Sequence, residues 1–231
     1  CLDSVMDSIS WHEDKIELII SNNDSPDSTE EVVQEYQKIH PWIRYNRNNV
    51  NLLCEGNIYF IASSMVKGQY VWFIGDDDFI EKGAVSCALK CIEEGYSVVL
   101  FNYSIWDKHL ANKRVEKRFA FGRDIDFSDK NEFMRTFGVH VGYISTVMIK
   151  TSIFNKASVE ECRPLFEYCF PQAYSTYVGL IGQPFKGKFI DFPYVRNRGD
   201  NGWPVKWSLC YIEGIRVIFG SLVEQGYAPD A

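Results

Sequence analysis

The stretch Gly68-Gln69-Tyr70-Val71-Trp72-Phe73-Ile74-Gly75-Asp76-Asp77-Asp78 constrains this chain more than any other. The apolar run from Tyr70 to Ile74, bounded by glycines, has no polar face to offer water and predicts a fully buried strand. Adjacent carboxylates follow at its C-terminal end. They repel one another, and only solvation or a shared cation relieves the repulsion. Ligands of open α/β sheets gather beyond the carboxyl ends of strands, so the position favours a divalent-metal site. The competing reading is a solvated turn whose Asp caps the next helix.

Around this centre, Leu2, Val5, Met6 and Ile9 repeat at helical spacing and predict an amphipathic helix over 1–10. Ile16 to Ile20 reads as a short buried strand. The turn-rich Ser21 to Thr29 leads into a helix over 28–39, with Val32, Val33, Tyr36 and Ile39 on one face. Trp42 to Tyr45 reads as an edge strand, and an Asn-rich loop follows over 46–51. Residues 55–67 form a helix with Ile58, Ile61, Ala62 and Met65 inward, ended by Gly68. After the acids, 82–94 reads as a helix closed by Gly95 and 97–102 as a strand. This alternation predicts an α/β fold, a sheet with helices on both faces.

The pattern then weakens. Residues 103–128 read as a charged, irregular insertion, with a hairpin as one form it can take. A short helix over 129–137, a strand over Ile144 to Ile149 and a loosely helical 165–181 broken by Pro171 follow. Phe189 to Val195 reads as a strand, and Pro204 opens a last helix with Trp207, Tyr211, Ile215, Ile218, Phe219 and Leu222 about one face.

A length of 231 residues suits one domain with a real core. A net charge of −7 without a dominant basic stripe argues against nucleic acid as a partner. Lys113, Arg114, Lys117, Arg118 and Arg123 form the only basic cluster, read first as a solvated loop and second as a phosphate or membrane-surface contact. The seven cysteines contain no Cys-x-x-Cys pair. Cys87 and Cys91 read as small core residues, and Cys162 and Cys169 can meet without any requirement that they do. A reducing, cytoplasmic compartment is expected. No apolar run of about 18 residues is present, so no membrane span is expected, and no signal peptide is recognised.

Three pieces in order carry a resemblance: a strand running into Asn22-Asn23-Asp24-Ser25-Pro26-Asp27, then Arg47-Asn48-Asn49-Val50-Asn51 with the helix bearing Asn57, then Gly68 to Asp78. Together they resemble the nucleotide-sugar half of GT-A glycosyltransferases of family 2, particularly bacterial O-antigen and capsule enzymes. Gly142-Tyr143-Ile144-Ser145-Thr146 and Arg198-Gly199-Asp200-Asn201 are similar to that subgroup as well.

The resemblance implies a GT-A fold, Rossmann-like with a mostly parallel central sheet, whose nucleotide-sugar half is 1–102 and whose acceptor half is 103–231. It implies transfer of a sugar from a nucleotide-sugar donor to a saccharide or lipid-linked acceptor, at the cytoplasmic membrane face. Asn22, Asn23, Asp27, Arg47, Asn51 and Asp76 would then meet the donor, Arg47 either as a phosphate clamp or as an ordinary surface residue. Where Asn23 stands the family usually has Asp, and an amide both accepts and donates. The last Asp of the family's Asp-x-Asp signature falls on Asp77 and its first on Gly75. Asp77 with Asp78 would hold Mn²⁺ or Mg²⁺, Asp78 alternatively as a supporting or capping group.

Arg198, Asp200 and Asn201 would close over the diphosphate, with Arg196 or Arg198 as counter-charge; an Asx-bonded turn is the alternative. The proton acceptor expected of inverting members falls best on Glu167, with Glu160, Glu161 and Asp191 competing. His140 reads as a core or turn histidine.

Two departures stand out. The family's first strand is missing, so the chain reads as a fragment or as N-terminally truncated, with an open sheet edge. Leu52-Leu53 replaces the glycine usual after Asn51. The Asn22-Asn23 pair and the absent first strand motivate a second reading, a non-catalytic relic or a binding module for nucleotide or sugar. A sugar-phosphate nucleotidyltransferase would need a Gly-rich basic phosphate loop, which is not visible. The last helix, with Trp203 and Trp207, either touches a membrane or packs.

Overall fold

The computed structural model describes residues 1–168, 170–199 and 209–230. Apolar spacing at the start produces α1 (Leu2–Ile9), which buries Val5 and Ile9. β1 (Ile19–Asn22) and β2 (Arg44–Arg47) pair in parallel across α2 (Thr29–Ile39), with Ile19 opposite Arg44. β1 starts later than Ile16: Glu13–Lys15 is a 3-10 turn, and the first bond to β2 runs from the Arg44 amide to the Leu18 carbonyl at 2.9 Å. Of the expected α2 face only Val33 is buried, while Val32 is 48% and Ile39 75% exposed. The helix meets β1 through Val33 and reaches α1 through the Tyr36 hydroxyl, which donates to the Asp3 carboxylate.

α3 (Leu53–Phe60) widens into a π-helical turn over Ile61–Met65, burying Ile58, Tyr59 and Ala62. β3 (Tyr70–Trp72) and β4 (Phe79–Ile80) flank the acid triplet. α4 (Ala84–Glu93), β5 (Val98–Trp106), β6 (Lys113–Val115), β7 (Ile125–Phe127) and α5 (Lys130–Phe137) follow. Then come β8 (Val147–Lys150), the short α6 (Thr151–Phe154) and α7 (Val159–Cys162), α8 (Pro171–Leu180), β9 (Gly187–Arg198) and α9 (Ile215–Glu224). Within the second sheet the order is β3-β8-β5-β9-β4, with β6 on β5 and β7 on β9.

The α/β class stands, but this sheet is mixed rather than mostly parallel. Only β5 and β9 run parallel in it. After β5 the chain passes through β6, β7 and α5 and re-enters at the end where β5 leaves, so β8 runs antiparallel to both neighbours.

Among the described residues no strand joins the β1–β2 pair to β3. β3 is therefore half-buried rather than fully buried, with only Val71 fully covered. Its unpaired side faces an apolar groove of about 540 Å³ lined in part by Ile16, Leu18, Tyr70, Trp72 and Ile92. Glu17 clasps the two sheets across this seam. Its Oε1 accepts the amides of Lys67 and Gly68 at 2.6 and 2.7 Å, and its Oε2 accepts Arg44 at 2.6 Å. Partial burial would raise the Glu17 pKa, but these donors outweigh it and hold the carboxyl below its ordinary value.

The main core lies between the large sheet and α5, α8 and α9, around Leu100, Phe133, Phe137, Tyr177, Phe189, Ile218 and Leu222. Pro171 opens α8 instead of breaking it, since a first-turn proline gives up no hydrogen bond. Gly179 lets α8 meet the backbone of Ile153, where a Cβ would stand 2.1 Å from the carbonyl oxygen. Of the expected strand Ile144 to Ile149, Ile144–Thr146 is a 3-10 turn, following another at Gly138–Gly142, and Val147 onward is β8. Expectations for Cys169, Asp200, Asn201, Trp203, Pro204 and Trp207 concern residues outside those described. No helix among the described residues is long and apolar enough to cross a membrane.

Candidate functional site

The turn after β3 is built on Gly75. Its amide donates to Ser145 Oγ at 2.9 Å, and its carbonyl accepts the Asp78 amide at 3.2 Å. A Cβ at Gly75 would stand 3.0 Å from Asp77 Oδ1 and 3.3 Å from Asp78 Oδ2. Glycine at this position makes room for the two following carboxylates, whereas a larger residue would push into them.

The three acids part company in space. Asp76 is exposed and Asp77 partly covered, with Arg198 Nη2 3.8 Å from Asp77 Oδ2. Asp78 is only 2% exposed. Burial pushes its carboxyl upward in pKa, opposed by hydrogen bonds from the Ser145 and Tyr143 hydroxyls and the Arg198 amide, while the charge on Asp77 adds to the rise. Asn197 Nδ2 donates to the Tyr143 oxygen at 2.9 Å and approaches Asp78 Oδ1 at 3.5 Å. Burial first, and Asp78 second, raise the Tyr143 hydroxyl far above the ordinary tyrosine value. Asp78 thus props the turn from behind, and Asp76 and Asp77 face outward.

Among the described residues no group of three or more His, Cys, Asp or Glu gathers as a metal cage. A Mg²⁺-type site does not require one, because such ions commonly take one or two carboxylates plus substrate phosphates and water. Oxygen ligands from Asp76 and Asp77 fit that donor set.

The loops after β1 and β2 are cross-tied by amides. The buried Asn22 accepts the Ser25 amide at 2.8 Å and donates to Tyr45. Asn23 Nδ2 donates to Asn51 Oδ1 at 3.1 Å and to the Leu53 carbonyl at 3.0 Å. Asn23 Oδ1 accepts from Asn48 Nδ2 and from the Leu52 amide. Asn48 also donates to Asn57, which accepts the Ser21 hydroxyl. With its amide fully engaged, Asn23 acts here as a tie between loops. The network holds Leu53 at φ +63, a left-handed conformation costly for a branched side chain.

Asp27 accepts the amide and hydroxyl of Thr29, which lower its pKa, and so caps α2 from the exposed surface. Arg47 bonds Glu30 at 3.0 Å, the Ser25 carbonyl at 3.2 Å and Asp24 at 3.5 Å, which spends its charge within the first loop. Arg196 is bidentate on Glu81 at 2.5 and 3.0 Å, whereas Arg198 reaches the acids, 3.8 Å from Asp77.

Glu167 stands, exposed, on the 3-10 segment Arg163–Tyr168 rather than at a helix start. It lines a cavity of about 680 Å³ with Glu160, Arg163, Phe166, Leu52, Leu53 and Gly56. Of its rivals, Glu160 lines the same cavity, Glu161 closes a capping box with Ser158, and Asp191 is buried against Lys117 and the Gly122 amide. His140 is half-buried beside Arg118 and Phe119, burial and then Arg118 lowering its pKa.

The first turn of α3 brings these parts together. Its Leu53 and Gly56 wall the Glu167 cavity, and its Cys54 thiol is raised to about 11 by burial and then by Glu55, Asp76 and Asp77. Sequence reasoning missed Tyr143, Ser145 and Asn197 as the support of Asp78, and Asn48 as a member of the loop tie. Tyr143, Ser145 and Asn48 lie within the quoted motifs, but only folding reveals their partners.

Residues 1–157 match the family described as Glycosyl transferase family 2. The chain is 32% identical over 152 residues to a Campylobacter jejuni GalNAc(5)-diNAcBac-PP-undecaprenol beta-1,3-glucosyltransferase, covering 63% of this chain and 46% of the relative. It is 37% identical over 146 residues to Abequosyltransferase RfbV of Salmonella typhimurium, covering 58% and 43%. It thus spans less than half the length of these curated relatives. Among solved structures, S. aureus TarS 1-349 in complex with UDP-GlcNAc superposes with a TM-score of 0.70 at 14% identity, covering 99% of this chain and 63% of that one. That likeness identifies the fold as GT-A. With the family match spanning most of the chain, the protein belongs to glycosyl transferase family 2.

Proposed function

We propose that the chain carries the donor-binding machinery of a glycosyltransferase that moves a sugar from a nucleotide-sugar to a saccharide borne on a lipid carrier, in surface-polysaccharide synthesis at the cytoplasmic membrane face. One observation carries the reading: the first turn of α3 is tied to the Asn23 loop and walls the Glu167 cavity, and the charges of Asp76 and Asp77 are felt at its Cys54. Such convergence of an apolar-walled cavity with a few polar groups is typical of a small-molecule site.

Asp77, with Asp76 beside it, would hold Mn²⁺ or Mg²⁺. A bound cation there neutralises the charge that builds on a departing nucleoside diphosphate. The Asn22–Asn23 loop and Asn51 border the base. Arg198, already at Asp77, can turn its guanidinium to the diphosphate. Glu167 takes the proton from the acceptor hydroxyl as its oxygen attacks the anomeric carbon. The lipid-linked acceptor rests on the name of the Campylobacter relative.

Asp77→Ala and Glu167→Gln test the assignment. The first should abolish donor hydrolysis and transfer and weaken Mn²⁺-dependent binding of nucleoside diphosphate in calorimetry. The second should lower transfer on the order of 100-fold and leave that binding intact. A native chain that binds neither nucleotide nor Mn²⁺ would instead support a non-catalytic relic.

A further inference from the structure

The basic hairpin that follows β5 has no part in the site described above. Six Lys and Arg residues and one acid, Glu116, fall within 108–123, so this segment carries +5 while the rest of the chain carries −12. We propose that this hairpin is a docking surface for the anionic phospholipid headgroups of a bilayer.

Its root is fixed. The Arg118 amide donates to the Tyr103 carbonyl at 2.8 Å, and Phe119 exchanges hydrogen bonds with the Asn102 side chain at 2.7 and 3.1 Å. Phe119 also packs edge-on against Phe137 and Phe189 of the core. The tip is stapled by Asp107, whose carboxylate accepts the amides of His109 and Ala111 and the side chain of Asn112. These donors lower its pKa to about 2, led by Asn112. What projects between root and tip is therefore a shaped platform.

Lys117 is engaged by Asp191, Lys113 by Glu116 at 2.9 Å, and Arg118 touches His140 at 3.4 Å. Lys108 and Arg123 are exposed and form no ion pair with a described residue. Between the basic residues stand Val115, 39% exposed, and Phe121, 42% exposed. Interleaved basic and apolar side chains match a headgroup layer over hydrocarbon. An extended polyanion such as RNA would be repelled by the acidic remainder and would find no use for the aliphatic Val115.

The position suits a surface-bound substrate. β6 pairs with the end of β5, whose Trp106 lies in register with Arg198 of β9, and Arg198 is the residue beside Asp77. Docking by the hairpin would bring the acid turn to the lipid surface. This rests on charge and shape alone, so it stands or falls apart from the transfer reaction.

The test is sedimentation of the chain with vesicles of phosphatidylcholine alone and of phosphatidylcholine mixed with phosphatidylglycerol. The native chain should pellet with the anionic vesicles only, and added salt should release it. Lys108→Gln/Arg118→Gln/Arg123→Gln should weaken this binding about fivefold per charge, on the order of 100-fold in all. Lys108→Arg/Arg118→Lys/Arg123→Lys should bind as the native chain does. Equal thermal midpoints for the three proteins would tie the loss to charge, and an unfolded triple Gln variant is replaced by the single Arg123→Gln, expected to lose about fivefold. Equal binding to neutral vesicles, unchanged binding by the Gln variants, displacement by inorganic pyrophosphate, or tighter binding to an RNA homopolymer would each overturn the proposal.

Discussion

The guanidinium of Arg198 lies 3.8 Å from the carboxylate of Asp77, so the group assigned to a metal ion already faces a cation of the protein's own. Partly exposed pairs of this kind contribute at most about 1 kcal/mol. Removing Arg198 should accordingly tighten Mn²⁺ binding in the absence of donor by no more than about fivefold. The same Arg198→Ala variant should bind nucleoside diphosphate more weakly, because it lacks the counter-charge. Calorimetric titrations with Mn²⁺ alone and with diphosphate check the opposite signs.

Gly75 is held to its identity by its neighbours. In Gly75→Ala the new methyl would meet Asp77 Oδ1 at 3.0 Å and Ser145 Oγ at 3.4 Å, so Asp77 must move. The expected outcome is a several-fold loss of transfer with a stability change near ~1 kcal/mol, since even a shift of a few tenths of an ångström in Asp77 and Asp78 bears more on rate than on folding. Transfer assays beside urea denaturation separate the two.

Asn23→Asp restores the residue usual in the family and should destabilise this chain. The amide's two donor bonds, to Asn51 and the Leu53 carbonyl, would become carboxylate facing oxygen. The expected cost is about 1–3 kcal/mol, measured by denaturant midpoint. A neutral or stabilising result would mean that the loop repacks around the acid.

Glu17 makes the seam between the sheets sensitive to acid. Its folded pKa lies below the ordinary 4.5, so its contribution is fully present above that value and is lost as pH falls through the folded pKa. Glu17→Gln should flatten the acid side of the stability profile, and Glu17→Ala should cost about 1 kcal/mol near neutral pH through the lost bonds to the amides of Lys67 and Gly68. Denaturation curves collected between about pH 3 and pH 7 read both effects.

Elements whose side chains obey one period were legible from the sequence. α1, α4 and α5 fall within their expected bounds, and Phe133, Met134 and Phe137 are buried as their spacing requires. The expected strand Ile144 to Ile149 is right from Val147 onward, but its first three residues misled, because Ser145 is held in a turn by Trp72 Nε1 and the Gly75 amide. Those partners lie seventy-three and seventy positions away. The acid triplet was legible as a unit, but its division into two outward carboxylates and one buried prop depends on Tyr143 and Asn197. The Asn-rich loops showed their polarity in sequence, not the tie between Asn23 and Asn51.

The two ladders of this protein share no strand among the described residues, and the clasp at Glu17 spans the gap between them. A molecule long enough to touch both the Asn23 loop and the Asp77 turn would therefore act as a splint across that joint. Its arrival should be felt first as slower hydrogen exchange at the amides of Lys67 and Gly68, a signal of stiffening at a distance from any atom that reacts.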